Sequence, residues 1–73
     1  MKYGVFLFNT TTAAMQAQKA LSLKGYSSTL IPAPGQFHSP SGMAVRFNWM
    51  EQTELQAILD KSNVQIQSVR EIV

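Results

Sequence analysis

The sequence predicts an α+β fold: one four-stranded antiparallel sheet with two helices on one face. Three observations predict it. Two runs rich in β-branched and aromatic residues, 3–8 and 43–47, read as strands. Each is followed by polar capping residues and an amphipathic stretch, then by a further strand-like run. The order is thus strand-helix-strand twice over, which two split crossovers fold into a single sheet. In spatial order 4-1-3-2 the two most apolar strands, the first and third, fall in the centre, where a strand is most buried. This is the ferredoxin-like β-α-β-β-α-β sandwich, a single domain over residues 1–73, with a swapped edge order as the alternative.

Tyr3–Phe8 is apolar at almost every position, so it reads as a central strand. Asn9, Thr10, Thr11 and Thr12 follow, and Asn or Thr side chains cap helices by accepting an orphan backbone N–H. The helix runs to about Lys24, with Gly25 at the left-handed position beyond its end. Ala13, Ala14, Ala17, Ala20 and Leu21 share one small-residue face, so this helix should approach its sheet closely. Met15 and Lys19 point away.

Ser27–Ile31 is a more polar strand, stopped by Pro32-Ala33-Pro34-Gly35. A loop through Gly42 follows. From Met43 to Phe47 the pattern alternates, with Met43, Val45 and Phe47 inward and Ala44 and Arg46 outward. Asn48-Trp49-Met50-Glu51 has capping-box spacing, and the next helix puts Leu55, Ile58 and Leu59 on one face before ending near Lys61-Ser62-Asn63. Val64–Ile72 reads as the last strand.

Composition bounds the chemistry. The 73 residues are 45% hydrophobic and only 14% charged, which fits a packed domain rather than a disordered polyelectrolyte. The absence of cysteine excludes disulfides, cysteine-based zinc sites and thiol catalysis. His38 is the one histidine, too few for a metal centre, and no cofactor is expected. Six basic and four acidic residues, scattered singly, give a net charge of +2. That is too weak and dispersed to argue for nucleic acid or membrane as a partner. Aromatics on an open sheet invite an RNA-binding reading, but the ribonucleoprotein strand signature is absent. No leader or membrane-spanning pattern is present, so the expected compartment is cytoplasmic. No nucleophile–base pair, spaced carboxylate pair or phosphate loop supports an enzyme.

Several segments resemble a known family. They are Phe8-Asn9-Thr10-Thr11, then Ala14, Ala17, Lys19 and Gly25, the Pro32-Ala33-Pro34 turn, and Ser39-Pro40-Ser41-Gly42 running into Met43–Phe47. Together they resemble the selenium/sulfur carrier protein-like family over nearly the whole chain. The resemblance implies a loop of the form Ser-x-Cys-Gly, whose cysteine would hold sulfur or selenium as a persulfide-like adduct. The position that resembles that cysteine is Ser41. A serine hydroxyl forms no persulfide, so the scaffold and loop shape carry over and the carrier chemistry does not.

Two function classes follow as expectations. The first is a non-catalytic interaction module, a homo-oligomer or a subunit of a protein complex, working through the sheet face that the helices leave open. Its interface candidates are Phe6, Phe8, Ala44 and Arg46 if Val5 and Leu7 face the helices; with reversed parity, Tyr3, Val5 and Leu7 are outward instead. Contiguous apolar surface marks an interaction site. The alternative is a small-ligand or anion site where Asn9, Thr10 and Thr11, at a helix N-terminus, meet His38, Ser39, Ser41 and Gly42. Plainer readings stand beside it: helix caps for the threonines, solvation for His38, turn chemistry for Ser39–Gly42. Arg46 lies about 13 Å along its strand from Gly42, too far to join that site.

Overall fold

The computed structural model describes residues 2–72. In chain order the elements are β1 (Tyr3–Leu7), α1 (Thr11–Leu23), β2 (Thr29–Pro32), β3 (Met43–Asn48), α2 (Gln52–Lys61) and β4 (Ser68–Ile72). A single 3-10 turn, Trp49–Glu51, joins β3 to α2. The sheet order is β2-β3-β1-β4, all pairs antiparallel, which is 4-1-3-2 read from the other edge.

Both helices pack on one side of this sheet. Ala14, Ala17 and Leu21 of α1 and Leu55 and Leu59 of α2 share one buried cluster with Phe6, Phe8, Val45 and Phe47. The small side chains of α1 are complemented by large rings from the strands. Phe6 stacks on Phe47 with centroids 4.1 Å apart and planes 11° from parallel. Gly4 makes room for the next ring. A Cβ there would meet Phe47 Cζ at 2.7 Å and collide with the Trp49 indole. Fully burying a phenylalanine side chain stabilises by about 1.5–3 kcal/mol, so these rings dominate the core.

Local chemistry sets the helix ends. Thr10 is the N-cap of α1, its Oγ1 accepting the Ala13 N–H at 3.0 Å. Gly25 takes φ +84° beyond the C-terminus, where side chains are disfavoured. At the second helix the capping box does not form: Asn48 Oδ1 accepts the Met50 N–H at 3.1 Å instead of that of Glu51, and so caps the 3-10 turn.

Two strands differ from expectation by more than one residue at an end. The second strand begins at Thr29 and takes in Pro32, whose missing N–H is tolerated because β2 lies at the edge. The last strand begins at Ser68 rather than Val64. Asn63 adopts φ 58°, and the Val64 N–H donates back to the Leu59 carbonyl at 3.0 Å. Val64 thereby closes the helix end and fills the helix-side core instead of extending the sheet.

Candidate functional site

Directly paired residues of antiparallel strands share a face. Val5 pairs with both Arg46 and Arg70, Leu7 with Ala44 and Ser68, and Tyr3 with Asn48 and Ile72. The face away from the helices therefore carries Tyr3, Val5, Leu7, Ala44, Arg46 and Arg70. The reversed parity is the one adopted. Phe6 and Phe8, interface candidates from the sequence, are fully buried under the helices. The reason is volume: the alanine face of α1 leaves room that Val5 and Leu7 would not fill.

The open face is not a bare apolar surface either. Val5 and Ala44 are 0% exposed and Leu7 1%. Ile31, Ala33, Phe37 and Ile72 pack against them. Ala33 and Phe37 belong to the segment between β2 and β3, so that loop supplies the cover. It closes on itself through Ala33 N–H to Gly42 carbonyl at 2.9 Å, Phe37 N–H to Pro34 carbonyl at 3.0 Å and Gly42 N–H to Ser39 carbonyl at 3.0 Å. What the face shows to solvent is charge and an aromatic rim. Arg46 and Arg70 are exposed. The Arg46 guanidinium lies 4.7 Å over the Tyr3 ring, a cation–π contact. No strand residue on this face and no residue of the covering loop is acidic. The one salt bridge among the described residues joins Lys2 to Glu71 at 3.6 Å, so neither arginine is neutralised by a carboxylate there.

The serine loop does meet the end of β1. Ser41 N–H donates to the Phe8 carbonyl at 3.4 Å, two residues before the α1 cap. The Ser39 hydroxyl lies 3.3 Å from the same carbonyl and 3.1 Å from that of Met43. Ser41 Oγ accepts the Met43 N–H at 3.1 Å and sits 3.2 Å from Ser39 Oγ. Both hydroxyls are thus partnered by backbone that flanks the loop, Met43 at the start of β3 and, for Ser39, also Phe8 after β1. Thr10 Oγ1 is likewise occupied by its cap, while Asn9 and Thr11 are exposed. His38 goes elsewhere: with Gln36, Phe37, Leu7, Gln67, Ser68 and Arg70 it lines a groove between the loop and β4. Lys61 lines a groove with Lys24 and Tyr26, none of its neighbours there from the serine loop.

Sequence reasoning missed Phe37 and Arg70. Phe37 is the one aromatic in a Pro-Gly-Ser-rich segment, a signal that the segment returns to the core. Arg70 has the same alternation as Ile72, which becomes legible once β4 is set in register with Val5. No group of three or more His, Asp or Glu side chains that could hold a metal ion occurs among the described residues. No helix among them is long and apolar enough to cross a membrane.

Fold and site together define a small two-layer α+β domain without a thiol, with one helix-covered face and one loop-covered, arginine-bearing face. The chain matches the family model described as "Putative Se/S carrier protein-like" over residues 3–71, and it belongs to that family. Neither the curated proteins nor the solved structures contain a match to it. A carrier that holds sulfur or selenium on a thiol needs a cysteine, and this chain has none.

Proposed function

We propose that this member of the family is a non-catalytic interaction module, a subunit that docks an acidic protein partner onto the loop-covered face of its sheet. The observation that carries the reading is the row Arg46–Val5–Arg70: two arginines in register on either side of a buried valine, with no acidic residue among the strand positions of that face. Arginine is favoured at interfaces because its planar fork binds carboxylates in two places and stacks on aromatics. The Tyr3 contact already restrains Arg46, which lowers the ordering cost of binding. The same row argues against self-association face to face, since like charges would meet.

The test is capture of a partner from source lysate by the wild-type chain, an Arg46→Glu/Arg70→Glu variant and a Lys19→Glu control on the outer side of α1. The expected result is a salt-sensitive partner retained by wild type and control and lost by the double variant. Retention of the same partner by the double variant would overturn the reading.

A further inference from the structure

We infer that the cleft between the start of β2, the end of β3 and the 3-10 turn binds a small zwitterion of the α-amino-acid type. It is a groove of about 430 Å³, lined by Tyr3, Tyr26, Ser28, Thr29, Arg46 and Glu51 among others. That volume is within the usual range for small-molecule sites. Neighbouring grooves are as large, and their chemistry differs. The groove along α2 offers Asp60 as its one charge, and the groove at Lys24 and Lys61 offers cations only. This cleft presents both signs.

Arg46 and Glu51 line the same space without forming a salt bridge with each other. Opposite charges that share a cleft yet stay apart leave room for a ligand carrying the complementary pair. The guanidinium fork matches a carboxylate, and the Glu51 carboxylate accepts from an ammonium. Arg46 is held over the Tyr3 ring at 4.7 Å, so its fork is restrained before binding. The second observation is Ser28. Its Oγ is buried and has no hydrogen-bond partner in the protein. Buried hydroxyls are nearly always partnered, and an unpartnered one in a residue that lines the cleft needs only a rotation about its Cα–Cβ bond to meet a ligand atom. Tyr26 and Thr29 line the same cleft, so its wall favours a polar ligand side chain.

The inference does not rest on the docking reading. Arg46 and Tyr3 serve both, whereas Glu51 and Ser28 belong to the cleft alone. The experiment follows the amide resonances of Ser28, Arg46 and Glu51 in the intact chain as L-serine is added, then the other common amino acids. Serine methyl ester, which lacks the carboxylate, and N-acetylserine, which lacks the ammonium, are the controls. The expected result is saturable shifts with L-serine, weakened about tenfold or more by either blocking group and by Glu51→Gln. Ser28→Ala should weaken binding while leaving the thermal midpoint unchanged or raised, which a purely structural serine would not do. Absence of shifts with every amino acid overturns the inference. So does equal binding of serine and its two blocked forms.

Discussion

The central apolar residues of the two sheet faces are buried equally well and covered by different means. On one side Phe6, Phe8 and Phe47 lie under two helices whose backbones satisfy their own hydrogen bonds. On the other, Val5, Leu7 and Ala44 lie under a loop that contributes one alanine and one half-buried phenylalanine. The loop must find its hydrogen bonds piecemeal, from Ser39, Ser41 and a few turn amides. Equal burial therefore does not mean equal strength. The helix face holds the fold together; the loop face hides an apolar strand and frames the exposed arginines.

The largest expected effect is on the helix face. Phe6→Ala removes a fully buried ring and should cost about 3–5 kcal/mol. A core of this size supplies about 3–5 kcal/mol in all, so the variant should be largely unfolded by circular dichroism. A cooperative urea transition near the wild-type midpoint would show that the ring stack is not the main support. Gly4→Ala comes next: the added methyl has no room against Phe47 and Trp49, and overpacking costs about 1–3 kcal/mol.

Phe37→Ser probes the loop face and should behave differently. It should cost about 1–2 kcal/mol, less than Phe6→Ala because Phe37 is only half-buried. It should also uncover Val5, Leu7 and Ala44, so that the mass in solution rises with concentration more steeply than that of wild type. A variant that stays monomeric up to the highest soluble concentration would mean that the ring is not the cover. The smallest effect belongs to Ser39→Ala, about 1 kcal/mol for a loop hydrogen bond, read from urea midpoints. A loss as large as that of Phe6→Ala would erase the distinction between the faces.

Much of the helix face was legible in the sequence. The element order, a cap within Asn9–Thr12, the Gly25 terminator, the alanine stripe and the inward set of β3 all follow from local preferences. The parity of β1 did not, because Tyr-Gly-Val-Phe-Leu-Phe is apolar at odd and even positions alike. A strand buried on both sides loses the alternation that betrays orientation. What decides it is the match between small α1 side chains and large rings, a tertiary fact. The loop face was less legible still. Its cover comes from Phe37, in a segment with no period, and its second arginine from a strand with weak alternation. The serine loop reaches the Phe8 carbonyl at the end of β1, and its hydroxyls are taken up by the Phe8 and Met43 backbone.

The most direct test of this contrast is a set of through-space contacts in solution between the Phe37 ring and the methyl groups of Val5, Leu7 and Ala44. Strong contacts to those methyls, with the Phe6 ring contacting only helix-side groups such as Val45 and Leu55, are the predicted result. A Phe37 ring with no contact to them, or a Phe6 ring found on the loop side, would contradict the account of how this sheet is covered and of which face it offers to a partner.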